Sequence, residues 1–118
     1  PGGLPGATNL RDNDRVIESV RAMYEKEKLV GAICAGPIVL DKAGIIEGKK
    51  LTSYPGFEDQ LEGADYKLEA IVLDGNIITA RGPYYAVFFA IEIVKYLVGE
   101  EKAEELKGDI LLGEGLRP

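Results

Sequence analysis

The fold is decided by one stretch of the sequence, Leu29-Val30-Gly31-Ala32-Ile33-Cys34-Ala35-Gly36-Pro37. A short apolar run of the kind found in β-strands ends on the single cysteine of the chain, and small residues and a proline then open a helix. A strand that delivers a reactive side chain onto a tight turn before a helix is the layout of a nucleophile elbow. Free N–H groups and the positive end of the helix dipole favour the thiolate over the thiol at such a turn. We therefore predict that Cys34 is reactive.

The residues on either side of this stretch predict further elements of an α/β fold. After a glycine-rich loop over residues 1–6, Asp12 or Asn13 caps a helix whose apolar residues share one face. The apolar Leu29–Ile33 segment is predicted to be the central strand, covered on both faces. Pro37 suits the first turn of the following short helix, and Gly44 ends it.

The second half of the chain continues the pattern with a hairpin and two helices. Asp74-Gly75-Asn76 between two β-branched runs is a strong hairpin signal. The predicted elements are a strand at Lys50–Ser53, a helical turn at Phe57–Leu61, hairpin strands at Ala70–Leu73 and Ile77–Ala80, a helix at Tyr84–Val98 and a polar helix at Glu100–Lys107. The tail from Gly113 to Pro118 is predicted to be poorly ordered.

Composition limits the classes of protein to which the chain can belong. The 118 residues are 46% hydrophobic, which suits one globular domain spanning residues 1–118. A net charge of −6 and the lack of a basic stripe argue against nucleic acid as a partner. One cysteine forms no internal disulfide, which fits a reducing cytoplasm. The apolar Tyr84–Val98 segment has about 15 residues where a membrane span needs about 20, so we expect a buried helix and no membrane partner.

The chain contains no histidine, and this narrows the chemistry of Cys34. A single chain supplies neither a Cys-His pair nor a zinc site of the usual nitrogen and sulfur ligands, so we expect no metal. Asp12 and Asp14 flank Asn13, but the glycine and distal glutamate of a calcium loop are missing, and helix capping explains these residues better.

The beginning of the sequence is unusual for a doubly wound sheet. Pro1-Gly2-Gly3 has the composition of a loop that follows a strand, but no strand precedes it. Few convincing parallel strands are left for a complete sheet. We therefore expect the domain to be incomplete at its N-terminus, with a complementary N-terminal segment or chain as a partner.

Taken together, the motifs of the chain resemble those of the DJ-1/PfpI (ThiJ-like) superfamily, and of its DJ-1-like branch in particular. The resemblance rests on Pro1-Gly2-Gly3, on Cys34 31 residues after Gly3, on Thr52-Ser53-Tyr54-Pro55, on the hairpin sequence and on Arg81-Gly82-Pro83. It covers residues 1 to about 112. It implies a flavodoxin-like α/β sandwich, similar to the class I glutamine amidotransferases, with a mostly parallel sheet. It also implies a homodimer, and this chain resembles the C-terminal two-thirds of the family domain.

The resemblance also implies roles for individual residues. Cys34 matches the reactive, easily oxidised cysteine of the family, and the backbone N–H groups of Gly3 and Ala35 match its oxyanion hole. The glutamic acid that the family places near the sulfur belongs to the missing N-terminal segment, so no glutamate of this chain takes that role. Tyr54 stands where several relatives have a histidine, which makes it a possible active-site neighbour. A phenol is a poor general base at neutral pH but donates a hydrogen bond.

Three functions remain open for such a site. The first is a cofactor-independent glyoxalase or deglycase action on small 2-oxoaldehydes through Cys34, impaired if the N-terminal segment is absent. The second is a non-catalytic oxidation sensor or chaperone in which Cys34 reacts with peroxide. The third is a PfpI-like intracellular peptidase, which loses weight because that branch has histidine where this chain has Ala35.

Overall fold

The computed structural model describes residues 1–113 and forms a mixed α/β fold. The helices are α1 (Gly6–Arg11), α2 (Asp14–Glu25), α3 (Pro37–Lys42), α4 (Ala86–Val98) and α5 (Glu100–Asp109). The strands are β1 (Val30–Ile33), β2 (Lys50–Leu51), β3 (Asp65–Tyr66), β4 (Ile71–Asp74) and β5 (Ile77–Ala80). Single 3-10 turns at Glu58–Gln60 and Pro83–Tyr85 complete the regular structure.

The described residues divide into two compact units, the first of residues 1–86 and the second beginning at Val87. The first unit contains both sheets. In the larger sheet the order is β1-β5-β4, with β1 parallel to β5 and β4 antiparallel to β5. β2 and β3 form a small parallel pair. The parallel pairs and the hairpin confirm the predicted fold class.

Several predicted elements are confirmed within a residue or two. Helix α2 is capped by Asn13, whose side chain accepts hydrogen bonds from the N–H groups of Arg15 and Val16. The Asp-Gly-Asn turn joins β4 and β5 as predicted. The helix after the cysteine begins at Pro37 and ends at Lys42, just before Gly44. The predicted helical turn at Phe57–Leu61 is the 3-10 turn, and the polar helix is α5.

The prediction that the strand at Leu29–Ile33 is central and covered on both faces is wrong for the described residues. β1 lies at the edge of the three-stranded sheet, and its residues alternate between buried Val30 and Ala32 and the exposed Gly31. The central strand is β5, all four of whose residues are buried. A strand that reads as continuously apolar can thus be half-covered when a glycine occupies its open face.

The apolar Tyr84–Val98 segment also departs from the prediction. Its α-helix begins at Ala86, after the 3-10 turn, and Ile91 is its buried residue. Exposed apolar side chains include Tyr84, 80% exposed, and Leu97, 64% exposed, so the prediction of a buried helix is wrong. The apolar composition of the segment correctly predicts a helix, but it does not predict how much of the helix is buried.

Three further differences are smaller. Helix α1 begins at Gly6, inside the stretch that was predicted to be a loop, and buries Ala7 completely. The strand predicted at Lys50–Ser53 spans Lys50–Leu51, and β3 was not predicted. Of the tail that was predicted to be poorly ordered, residues 114–118 lie outside the described residues.

A buried polar contact joins the end of β2 to the central strand. Thr52 and Thr79 are both fully buried, and the N–H of Thr52 donates to Oγ1 of Thr79 at 2.9 Å. The Thr52 hydroxyl has no hydrogen-bond partner among the described residues. The two threonines are equally buried, but only the hydroxyl of Thr79 takes part in a hydrogen bond among the described residues.

We expect Thr79→Val to lower the free energy of unfolding by about 1–3 kcal/mol, because it leaves the buried N–H of Thr52 without an acceptor. The matched control is Thr52→Val, which removes a hydroxyl without a partner among residues 1–113 and should leave stability unchanged or higher. Urea unfolding of the two variants measures both values. Equal losses of stability would contradict the assignment of the hydrogen bond.

Candidate functional site: the elbow at Cys34

Cys34 follows directly after β1 and has a backbone conformation that is rare for a side-chain-bearing residue. Its φ is +63°. A non-glycine residue in this left-handed region costs on the order of 1–3 kcal/mol and persists where the surroundings hold it. Here the N–H of Cys34 donates to the carbonyl oxygen of Ala80 at 2.9 Å, and its own carbonyl accepts from the N–H of Tyr54 at 2.9 Å. The backbone of two neighbouring segments thus holds the elbow.

The turn that follows requires small residues. The N–H of Gly36 donates to the carbonyl oxygen of Ile33 at 2.9 Å, which closes the chain on itself before α3 begins at Pro37. A Cβ atom at Gly36 would lie 3.0 Å from that carbonyl oxygen and 3.3 Å from Cβ of Ala32. Glycine at this position is therefore explained by the close approach of the strand, not by its own dihedral angles.

The segment Pro1-Gly2-Gly3 packs directly on the elbow. A Cβ atom at Gly2 would lie 2.7 Å from Cβ of Cys34, 2.8 Å from the carbonyl oxygen of Ile33 and 3.2 Å from the nitrogen of Ala35. Gly3 adopts a φ of +80°, and its carbonyl oxygen accepts from the N–H of Ala7 at 2.7 Å. Only a residue without a side chain fits at Gly2, so the glycine loop and the cysteine turn form one packed unit.

Two backbone N–H groups beside the cysteine are free of partners within the described chain. Those of Gly3 and Ala35 donate no hydrogen bond to any group of residues 1–113. Ala35 is 2% exposed. Gly3 is exposed, so solvent can satisfy its N–H. Nearly all backbone N–H groups of buried residues are paired, so the unpaired N–H of Ala35 marks a place where an acceptor from outside the chain can bind.

Cys34 lines a small apolar cavity of about 270 Å³. The residue is half-buried. The cavity is lined by Gly2, Gly3, Ile33, Cys34, Pro83 and Ala86. No carboxylate, amine, guanidinium or phenol of the described residues is among them. The cavity therefore offers a thiol and backbone donors, but no side chain that carries a proton to or from a substrate.

Of the four residues singled out from the sequence, the structure brings three together. Cys34 and Gly3 line the same cavity, and Ala35 follows Cys34 in the turn. Tyr54 contacts Cys34 through its backbone N–H, but the residue is 48% exposed and lines a neighbouring pocket. The phenol is therefore not among the groups that line the Cys34 cavity.

Sequence reasoning missed three contributors to the site. Gly2 packs closely against Cys34, and the only trace of this contact in the sequence is the pair of adjacent glycines, Gly2 and Gly3. Pro83 stands out in the sequence only as part of Arg81-Gly82-Pro83, and no sequence signal marks Ala86 as a cavity residue. Arg81 has a structural role, since its Nε donates to the carbonyl oxygen of Ser53 at 3.1 Å.

The described residues were searched for clusters of metal-ligating side chains and for helices able to span a bilayer. Residues 1–113 contain no cluster of three or more histidine, cysteine, aspartate or glutamate side chains able to hold a metal ion. None of the helices within these residues has the length and apolar character needed to cross a bilayer.

Comparison with known proteins adds sequence and structural relatives. The profile of the DJ-1/PfpI family matches residues 1–96. An uncharacterized protein of Methanocaldococcus jannaschii is 45% identical over 98 residues, which is 80% of this chain and 48% of that protein. The Parkinson disease protein 7 homolog of Danio rerio is 39% identical over 115 residues, 95% of this chain and 61% of that protein. The chain thus spans between about half and about three-fifths of the length of these relatives.

The fold has a solved counterpart. The crystal structure of Drosophila melanogaster DJ-1beta superposes with a TM-score of 0.91 at 40% identity, covering 96% of this chain and 62% of that one. This match places the α/β architecture described above among flavodoxin-like folds.

Proposed function

Since this chain belongs to the DJ-1/PfpI family, we propose that it acts on small 2-oxoaldehydes through Cys34, as a cofactor-independent, glyoxalase-type cysteine enzyme. The observation that carries the proposal is the geometry of the elbow. Cys34 is half-buried, has a φ of +63° and lines a small cavity together with Gly3, and the N–H groups of Gly3 and of the adjacent Ala35 are unpaired within residues 1–113. Holding a nucleophile beside preformed donors is how enzymes stabilise an oxyanion that develops during attack.

The first step of the proposed reaction is addition to the aldehyde. The Cys34 thiolate uses a sulfur electron pair to form a bond to the aldehyde carbon, and the carbonyl π electrons move onto oxygen. The resulting hemithioacetal oxyanion accepts hydrogen bonds from the N–H groups of Gly3 and Ala35. This step requires no residue beyond those at the cavity.

The second step is an internal oxidation and reduction. A proton leaves the carbon bonded to sulfur, the electrons of that C–H bond form an enediol, and a proton returns to the neighbouring carbon. The first carbon becomes a thioester and the second an alcohol, so no external oxidant or reductant is used. Water then hydrolyses the thioester, which releases a 2-hydroxy acid and frees Cys34.

The proton transfers of the second step require a group that does not line the cavity. We assign this role to a carboxyl group of a second chain, either another copy or a complementary segment, because a carboxylate at such a site is an effective proton carrier. We therefore expect this chain alone to form the hemithioacetal readily and to complete the isomerisation slowly.

Chemical rescue by a small carboxylate tests this proposal. With methylglyoxal as substrate, we expect lactate to form slowly and its rate to rise at least about tenfold as acetate is added, because acetate enters the cavity as the missing base. Chloride at equal ionic strength is the control and should have no effect. Absence of lactate with and without acetate would overturn the proposed activity.

Oxidation sensing is a second candidate that one observation favours. The same unpaired N–H groups that suit an oxyanion also suit the oxygens of a cysteine sulfinate, and the solved structure of Toxoplasma gondii DJ-1 is described as oxidized. Each peroxide molecule would transfer one oxygen to the sulfur and leave as water. Stoichiometric gain of two oxygens at Cys34 without any methylglyoxal turnover would favour sensing over catalysis.

A further inference from the structure

A second pocket of about 300 Å³ lies beside the Cys34 cavity and has a different lining. Three tyrosines line it, Tyr54, Tyr84 and Tyr85, together with Arg81 and two prolines. We call it the tyrosine pocket. Its volume is at the lower end of the range for small-molecule sites, and its lining combines apolar and aromatic surface with one charged group, as such sites do.

The tyrosine pocket adjoins the Cys34 cavity through shared structure. Pro83 lines both. Tyr54 lines the tyrosine pocket, and its backbone N–H donates to the carbonyl oxygen of Cys34. A substrate whose carbonyl carbon reaches the sulfur therefore has the tyrosine pocket next to it for its substituent.

The walls of the pocket are held in place by contacts within the first unit. The rings of Tyr84 and Tyr85 meet edge to face with centroids 5.1 Å apart. The N–H of Tyr85 donates to the carbonyl oxygen of Gly82 at 2.9 Å, and Nε of Arg81 donates to the carbonyl oxygen of Ser53. A pocket that is already formed loses little conformational entropy when a ligand binds.

The exposure of these tyrosines shows that core packing does not account for them. Tyr84 is 80% exposed and Tyr54 is 48% exposed. Aromatic faces open to a small cavity recognise another aromatic ring by stacking or by edge-to-face contact. Methylglyoxal has no group that would use this surface.

We propose that the tyrosine pocket binds the aromatic substituent of a 2-oxoaldehyde while its aldehyde carbon reacts at Cys34. This substrate class rests on the proposed function, and it makes arylglyoxals better substrates than methylglyoxal. Tyr84 is then a specificity-determining residue, because it contacts the substituent and not the reacting atoms.

The test compares kcat/KM for phenylglyoxal and methylglyoxal at a fixed acetate concentration, in the wild type and in Tyr84→Ala. We expect the preference for phenylglyoxal over methylglyoxal, given as the ratio of the two kcat/KM values, to fall about three- to tenfold in Tyr84→Ala. The control is Tyr96→Ala, which removes an exposed tyrosine of α4 that does not line the pocket and should leave the ratio unchanged. An unchanged ratio in Tyr84→Ala would overturn the proposal.

A binding experiment separates failure of this proposal from failure of the proposed function. Mandelate, the product expected from phenylglyoxal, is titrated into Cys34→Ala and followed through the tyrosine ring resonances, with lactate as the comparison ligand. Mandelate should shift the resonances of the tyrosine pocket at concentrations where lactate does not. Equal responses to the two acids would overturn the pocket assignment, whereas selective mandelate binding without turnover of either aldehyde would overturn the enzymatic role alone.

Discussion

Replacing Cys34 by alanine should lower the acetate-supported turnover of methylglyoxal at least about a thousandfold. The reason is that the sulfur forms the bond to substrate in the first step, and loss of a nucleophile removes the whole covalent route. Cys34 is the only thiol of the chain, so no neighbouring cysteine can substitute for it. The measurement is the rate of lactate formation at saturating methylglyoxal, with and without acetate.

The fold should survive this change. Alanine has the same left-handed backbone cost as cysteine at a φ of +63°, and the hydrogen bonds that hold the elbow belong to the backbone. We therefore expect urea unfolding of Cys34→Ala to differ from the wild type by less than about 1.5 kcal/mol. A folded Cys34→Ala protein that still forms lactate at the wild-type rate would contradict the role of the sulfur.

Adding a single methyl group at Gly2 should be the most damaging change outside the cysteine itself. In Gly2→Ala the new Cβ would sit 2.7 Å from Cβ of Cys34 and 2.8 Å from the carbonyl oxygen of Ile33. Both neighbours belong to the elbow, so either the elbow or the glycine loop must move. We expect a loss of about 1–3 kcal/mol of stability, and at least about a tenfold loss of turnover because Gly3 carries one of the two N–H donors.

The matched control is Gly6→Ala, four residues along the same segment. A Cβ atom at Gly6 meets nothing within 4 Å, and Gly6 is the first residue of α1. Alanine favours helix over glycine, so Gly6→Ala should keep full activity and unchanged or higher stability. Comparable losses in both variants would show that the segment tolerates no substitution anywhere, which would contradict the specific contact at Gly2.

Elements set by local sequence signals were predicted well. Asn13 caps α2 through its own side chain, and the Asp-Gly-Asn turn fixes the β4–β5 hairpin through residues within it. Both signals depend on interactions only a few residues apart along the chain, which a single sequence contains in full. The family resemblance then supplied the flavodoxin-like fold class, which the structural match confirms.

Elements set by tertiary contacts were predicted poorly. Helix α1 starts in a glycine-rich stretch with weak intrinsic preference, yet Ala7 is fully buried and α1 packs against α2 and α3. The two-residue strand β3 exists because it pairs with β2. Apolar content predicted a buried helix after residue 84, but burial depends on what packs against the helix and not on its composition.

In the candidate site too, features set by the local sequence were predictable and features set by tertiary contacts were not. The position of Cys34 between an apolar strand and Gly36-Pro37 was visible in the sequence. The contact of Gly2 with Cys34 and the contribution of Ala86 to the cavity were not, because they join segments more than 30 residues apart. Tyr54, predicted as a possible active-site neighbour, donates its backbone N–H to the carbonyl oxygen of Cys34 but lines the tyrosine pocket and not the Cys34 cavity.

Titration of the single thiol with iodoacetamide tests the central claim most directly. Lactate formation from methylglyoxal in the presence of acetate is measured on samples in which an increasing fraction of Cys34 is alkylated, with that fraction read from intact mass. If the sulfur at the elbow is the reacting group, activity falls in direct proportion to the alkylated fraction and reaches zero at one label per chain. Turnover that persists in fully alkylated protein would contradict the account.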